Sequence, residues 1–106
     1  MQIMVAAAIP IPEDRIADIC RRRGVARLDI FGSALRQDFD RNRSDVDLLV
    51  EFLPGRTPDF FVFDEIADEL SGALGGRAVD LVTTRALNHR IRDRVLAEAK
   101  PIYVAG

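Results

Sequence analysis

Several residue types are scarce in this sequence of 106 residues, and each scarcity excludes a class of structure or site. There is no tryptophan, and Cys20 is the only cysteine, so an internal disulfide and a cysteine-based metal site are both excluded. No stretch approaches the ~18 consecutive apolar residues that a membrane-spanning helix needs. The apolar start, residues 1–12, lacks the basic segment of a signal peptide. We therefore expect a cytoplasmic protein without a membrane anchor.

An excess of positive charge is missing as well. The chain has 15 basic and 17 acidic residues, which gives a formal net charge of −2. A protein of this charge has no overall electrostatic attraction for nucleic acid, so no direct nucleic-acid contact is expected. A chain of this length builds one hydrophobic core, and we expect a single domain over residues 1–106.

Helical and strand patterns alternate along the chain. Acidic residues begin the first helix, arginines end it, and Gly24 can terminate it in the left-handed conformation. A second helix is predicted from Pro58 with Thr57 as its cap, and a third over residues 85–99 with Thr84 as its cap. The second helix has an apolar stripe formed by Phe60, Phe63, Ala67, Leu70 and Leu74. Strands are predicted at 25–31, 45–52 and 77–83, with a short edge strand at the end of the chain.

This order of elements predicts an α/β (α+β) fold, in which a small sheet of three to four strands is packed with helices.

Two aspartates open the second predicted strand, in the stretch FGSALRQDFDRNRSDVDLLVEF (residues 31–52). Asp45 and Asp47 point to the same strand face, about 6.6 Å apart along the chain. Their oxygens can converge on two metal ions, whereas without a cation two close carboxylates repel each other. The alternative is a solvated polar strand face.

A third carboxylate and a set of phosphate donors complete the predicted site. Asp80, within RAVDLVT (residues 77–83), would lie on a neighbouring strand about 4.8 Å away. There it could hold the metal near an attacking hydroxyl or accept the proton of that hydroxyl. Gly32 lets phosphate oxygens approach the backbone. Ser33 offers a hydroxyl at the start of a short helix, and Arg36 a positive charge one turn later.

These motifs resemble the DNA-polymerase-β-like nucleotidyltransferases, whose signature is Gly-Ser, a spacer of about ten residues and Asp-x-Asp. The ending VDLVTTRALNHRIRDRVLAEAKPIY is similar to that of the minimal nucleotidyltransferases, which act as antitoxins. The resemblance covers residues 24–103 and implies the polymerase-β-like fold. It matches Gly32 and Ser33 to the triphosphate-binding pair and Arg36 to the arginine that follows it. It matches Asp45, Asp47 and Asp80 to the metal-binding and catalytic carboxylates. Gln37 replaces the usual glycine, and the spacer has eleven residues rather than ten.

The resemblance implies a Mg²⁺-dependent enzyme, with two ions and ATP as donor. It would transfer AMP to a tyrosine of an HEPN-class ribonuclease toxin encoded nearby. Two other functions stay open: a non-catalytic antitoxin that sequesters the toxin, and an aminoglycoside-type adenylyltransferase. The last needs a further domain for its substrate, so we expect a partner protein to supply the acceptor.

Three other polar residues have simpler interpretations. Glu51 shares the strand face of the aspartates but lies at its far end, where a solvated carboxylate is expected. His89 could contact a partner or a nucleotide, but an exposed helix face is the simpler explanation. Tyr103 could stack on a base, but anchoring the end of the chain in the core is the simpler role.

Overall fold

Helices and strands alternate in the structure as the sequence predicts. The structure is a computed structural model that describes residues 9–35 and 45–106. Its helices are α1 (Glu13–Arg23), α2 (Phe60–Ala73) and α3 (His89–Glu98), and its strands are β1 (Val25–Phe31), β2 (Val46–Phe52), β3 (Val79–Thr83) and β4 (Lys100–Val104). Short 3₁₀ turns follow β1 (Gly32–Leu35) and β3 (Thr84–Ala86). The end of the chain forms the predicted edge strand.

The four strands form one mixed sheet in the order β3-β2-β1-β4. β1 is antiparallel to both β2 and β4, whereas β2 and β3 are parallel. A parallel pair needs a crossover connection, and α2 supplies it by carrying the chain back to the start of β3. The predicted fold class is confirmed.

Each face of the sheet has its own apolar cluster. The larger cluster packs α1 and α2 against one face; it includes Tyr103, in the interior role that the sequence predicts, and the buried Cys20. Burial of each fully buried aliphatic side chain, such as Leu28 or Leu48, contributes about 1.5–3 kcal/mol to the free energy of unfolding. The smaller cluster joins Leu49 on the other face to Val95 of α3. The sheet therefore lies between two layers, and the second face is the one with the aspartates.

Two predicted helix starts are wrong. α2 begins at Phe60, where the Asp59 side chain accepts a hydrogen bond of 2.9 Å from the Val62 amide; Thr57 is not the cap. α3 begins at His89, where the Asn88 side chain accepts one of 2.9 Å from the Arg90 amide. Asp and Asn cap helices at least as well as Thr, and each stands closer to the apolar stripe of its helix.

The predicted apolar stripe of α2 is wrong at its first residue. Ile66 and Leu70 are buried and Phe63 is partly buried against them, but the Phe60 side chain is 89% exposed. At 100° per residue, Phe60 lies about a quarter turn from the centre of the buried stripe, and Phe61 lies almost opposite it. Phe61 is 82% exposed. The core therefore uses the later turns of α2 and leaves two aromatic rings in solvent.

Ion pairs fasten α1 to α2. Arg22 Nη2 lies 2.9 Å from Glu69 Oε2, and Arg23 Nε donates to Glu69 Oε1 at 2.6 Å. Arg23 also lies 3.5 Å from Glu65. The helix dipole explains why arginines occur at the end of α1, and these contacts add a second reason for two of them. Gly24 ends the helix in the predicted left-handed conformation, with φ of 72°.

None of the helices in the described part of the chain is both long and apolar enough to cross a membrane.

Candidate active site

The parallel pairing of β2 and β3 brings two of the predicted carboxylates together. Asp47 and Asp80 are direct partners in the register, so their Cα atoms lie about 4.8 Å apart laterally. Beside them the Val46 amide donates a hydrogen bond of 2.8 Å to the Ala78 carbonyl, which fixes this end of the strand pair. Asp47 is half-buried and Asp80 is exposed. One carboxylate is thus held by its surroundings while the other is accessible to an incoming group.

Gly32 forms the third side of this site. Phe31 is the register partner of Asp47, and the next residue, Gly32, has φ of 72°. A β-carbon at Gly32 would collide with Oδ2 of Asp47. The carboxylate therefore lies directly against the backbone of the glycine corner, and only a residue without a side chain leaves room for it.

The 3₁₀ turn that begins at Gly32 is anchored in the core. Ala34 is completely buried and Leu35 packs against the larger cluster. Ser33 lies in this turn, between Gly32 and the anchor. The glycine corner is consequently tied to the rigid part of the fold on both sides, by β1 and by the turn.

The structure describes the other predicted site residues only in part. Asp45 is exposed and immediately precedes β2. Arg36, Gln37 and the rest of the spacer through residue 44 lie outside the described residues. The phosphate contact of Arg36 stays a prediction.

The donor set fits a hard divalent cation. Asp45, Asp47 and Asp80 offer only carboxylate oxygens, which are ligands that Mg²⁺ prefers. Asp47 and Asp80 already face the same side of the sheet at one register position. Within residues 9–35 and 45–106, however, no three His, Cys, Asp or Glu side chains are gathered closely enough to hold a metal ion.

A polar cavity on the same face of the sheet was not predicted. Asp29 is only 6% exposed, and Arg27 Nε donates to its Oδ1 at 2.8 Å. This hydrogen bond raises the pKa of Arg27 above its ordinary value. The cavity has a volume of about 210 Å³ and is lined by Arg27, Asp29, Leu49, Val50, Glu51, Thr84 and Leu96. An aspartate inside an otherwise apolar strand, LDIF, was the available sequence signal.

The simpler interpretations of three polar residues agree with the structure. Glu51 is exposed at the far end of β2, and His89 is exposed at the start of α3. Tyr103 is 9% exposed and belongs to the larger apolar cluster.

Known proteins are similar to this chain in sequence and in fold. A Methanocaldococcus jannaschii protein named as a candidate protein adenylyltransferase is 36% identical over 85 residues, which span 80% of this chain and 87% of the relative. A solved structure of a candidate minimal nucleotidyltransferase is 38% identical, with a TM-score of 0.67, and the match covers 84% of this chain and 87% of that one.

A second similar structure contains a complex. It is described as a tri-AMPylated HEPN toxin of Shewanella oneidensis with its MNT antitoxin. The matched chain is 25% identical with a TM-score of 0.61, and the match covers 88% of this chain and 70% of that one. The fold is thus that of the minimal nucleotidyltransferases. The family model of the nucleotidyltransferase domain matches residues 13–102, and the chain belongs to the nucleotidyltransferase domain family.

Proposed function

We propose that this chain transfers AMP from ATP to a tyrosine hydroxyl of an HEPN-class ribonuclease toxin encoded nearby, and that it thereby acts as a cytoplasmic antitoxin. The observation that carries the proposal is the register of Asp47 opposite Asp80, against the bare backbone of Gly32. The relatives add the acceptor class, because one is named for protein adenylyl transfer and another is complexed with an AMPylated toxin.

The triphosphate would bind at the glycine corner. Gly32 has no side chain, so phosphate oxygens could approach the backbone of this corner. Ser33 and Arg36 would add a hydroxyl and a positive charge, the donors that suit phosphate oxygens. The α-phosphate would then face the carboxylate pair.

Asp45, Asp47 and Asp80 would hold Mg²⁺, with two ions proposed. When bound, Mg²⁺ supplies positive charge that offsets both the carboxylates and the triphosphate. Asp80 is exposed on the outer strand of this pair, which leaves it accessible to the acceptor.

The group transfer is a displacement at phosphorus. The tyrosine oxygen forms a bond to the α-phosphorus, and the bond from that phosphorus to the bridging oxygen of the leaving pyrophosphate breaks. The hydroxyl proton passes to a carboxylate, for which Asp80 is the proposed acceptor. Asp47 is positioned by its contact with the Gly32 corner and keeps the site aligned during the transfer.

A sequestering antitoxin is the second candidate. The observation that favours it is that one of the similar structures contains an MNT antitoxin in complex with its HEPN toxin. In that case the toxin would be silenced by contact alone, and substitution of the carboxylates would leave protection intact. An aminoglycoside-type transferase is less well supported, because the relatives named above are linked to protein acceptors.

The proposal is tested by the intact mass of the neighbouring HEPN protein after coexpression with this chain. We expect one or more adenylate increments with the native chain, and none with Asp45→Asn/Asp47→Asn or with Asp80→Asn. The matched control is Glu51→Gln, which removes a carboxylate from the far end of β2 and should leave the increments unchanged.

One outcome would overturn the catalytic proposal, and a second would change the residues assigned to its site. An unmodified toxin that is still silenced by the native chain and by the double variant would establish sequestration. Transfer that persists undiminished in Asp80→Asn would remove Asp80 from the site.

A further inference from the structure

The first turns of α2 carry an exposed ridge that the core does not use. Phe60 and Phe61 are 89% and 82% exposed, and Asp64 and Asp68 are exposed on the same side of the helix. At 100° and 1.5 Å per residue, these four side chains fall within about 100° of arc and 12 Å of length. We call them the Phe–Asp ridge. Phe60 and Phe61 are the two most exposed large apolar side chains in the described part of the chain, and adjacent exposed rings of this kind mark a binding surface.

The two carboxylates of the ridge also take no part in the ion pairs that hold the described part of the fold together. Glu65 and Glu69, on the adjoining side of α2, pair with arginines of α1. Asp64 and Asp68 form no ion pair with any residue in the described ranges. The segment Phe60–Ala73 contains no basic residue, so the ridge presents aromatic rings followed by negative charge. A surface that fits it has an apolar pocket bordered by arginine or lysine.

A second copy of this chain does not fit the ridge. In a two-fold symmetric dimer the patch would face itself, which would set the aspartates of one copy against those of the other. Nucleic acid is excluded by the same negative charge.

The Phe–Asp ridge lies far from the carboxylates of the candidate active site, and this distance limits which molecules can contact both. Phe60 follows the carboxyl end of β2, whereas Asp47 lies near its amino end, about 17 Å along the strand from Phe52, and α2 packs on the face of the sheet opposite the aspartates. A small acceptor cannot touch both places, but a protein can. An enzyme that cleaves RNA carries basic residues to attract phosphates, so a ribonuclease offers the complementary charge.

We infer that the Phe–Asp ridge is the docking surface for the protein acceptor, which seats the two phenyl rings in an apolar pocket beside basic residues. This inference rests on the proposed function for the identity of the acceptor. It divides the chain into a chemical end, at the carboxylates, and a recognition end, at the start of α2. Recognition at a distance lowers KM without altering the transfer step itself.

The test measures binding and transfer separately, with the native HEPN-class protein as acceptor. We expect Phe60→Ser/Phe61→Ser to weaken binding at least about thirtyfold and to raise KM for the acceptor while kcat stays within about twofold. Phe61→Ser alone, opposite the buried stripe of α2, should show the same direction and cannot disturb the core. Asp64→Asn/Asp68→Asn should weaken binding about fivefold and make it less sensitive to NaCl.

The matched controls remove similar groups elsewhere. Leu96→Ser/Val104→Ser deletes two exposed apolar side chains, and Asp14→Asn/Asp93→Asn deletes two exposed carboxylates. Both controls should bind within about twofold of the native chain. Equal losses in controls and ridge variants would overturn the inference, as would unchanged binding in Phe60→Ser/Phe61→Ser. A native dimer that this variant turns into a monomer, with acceptor binding unchanged, would assign the ridge to a second copy instead.

The inference and the proposed function fail in different ways. If the native chain binds the acceptor through the ridge but leaves its mass unchanged, the chemistry is wrong and the docking surface stands. If it modifies the acceptor and the ridge variants do so with native KM, the chemistry stands and the docking surface is wrong.

Discussion

Gly32 connects backbone conformation to the chemistry of the site. Its φ of 72° lies in the left-handed region, which costs a residue with a β-carbon about 1–2 kcal/mol. In addition, the β-carbon would meet the carboxylate of Asp47. The first effect acts on stability and the second on the position of a predicted metal ligand. The two effects can be separated, because Gly55 has the same conformation, with φ of 76°, and nothing within 4 Å of a β-carbon.

Gly32→Ala and Gly55→Ala should therefore lose similar stability but differ in activity. We expect each to lower the melting temperature by roughly 5–10 °C, as the strain of a left-handed alanine implies. Gly32→Ala should also lower the rate of nucleotide transfer more than tenfold, whereas Gly55→Ala should stay within about twofold. Thermal melts and intact-mass time courses measure the two effects. Equal transfer rates would show that the contact with Asp47 has no role.

Sequence patterns located the elements well, but they located helix starts and exposed rings poorly. The bounds of β1 were predicted correctly, because the strand pattern ends at Gly32, where the chain turns. The starts of α2 and α3 were missed because Thr57 and Asp59, or Thr84 and Asn88, are all acceptable caps, and only packing selects between them.

The exposure of Phe60 was missed for a related reason. A periodic stripe defines which side of a helix is apolar, but not where along the helix the core ends. The Asp29–Arg27 pair was missed because a buried charge in a strand has no periodic signature of its own. The placement of Asp80 on a strand beside Asp47 was predicted, since alternation fixes which residues share a face, but the register that makes them direct partners was not.

At the scale of elements, Glu69 joins α1 to α2 and makes their contact sensitive to pH. Burial alone would raise the pKa of Glu69, but the hydrogen bonds and charges of Arg22 and Arg23 outweigh it, so its pKa lies below the ordinary value. A carboxyl group with a lowered pKa in the folded state stabilises the fold above its unfolded pKa, and this stabilisation is lost as the pH falls through the folded pKa.

Glu69→Gln should therefore lower stability at pH 7 and have little effect at pH 3. Urea titrations of the native chain and the variant at both pH values measure this difference. Asp68→Asn is the control, because it removes a neighbouring carboxylate that forms no ion pair with the described residues. A loss of the same size for Asp68→Asn at pH 7 would attribute the effect to net charge rather than to the contact between helices.

At the scale of the whole molecule, Cys20 reports on the integrity of the core. The side chain lies between α1 and the sheet and is 1% exposed. Burial raises the pKa of the Cys20 thiol to about 12. Both the low exposure and the missing thiolate prevent reaction with thiol reagents while the fold is intact.

Labelling of Cys20 should therefore follow global unfolding. In the native chain at pH 8 we expect negligible reaction with a disulfide reagent over the minutes in which a free cysteine reacts fully. In a urea series the reactive fraction should rise at the same midpoint as the loss of helical circular dichroism, as expected for one cooperative domain. Labelling well below that midpoint would show that α1 separates from the sheet on its own.

The parallel pairing of β2 and β3 also determines when, during synthesis of the chain, the residues of the proposed active site come together. Gly32 and Asp47 belong to an antiparallel hairpin that can form early, but Asp80 reaches its place only after α2 has been made and has folded back. A nascent chain that stops short of β3 holds the glycine corner and one half of the carboxylate pair, without the other half. Under the proposed function, catalytic competence would therefore arrive with β3, and a chain terminated before β3 would lack Asp80, the proposed proton acceptor.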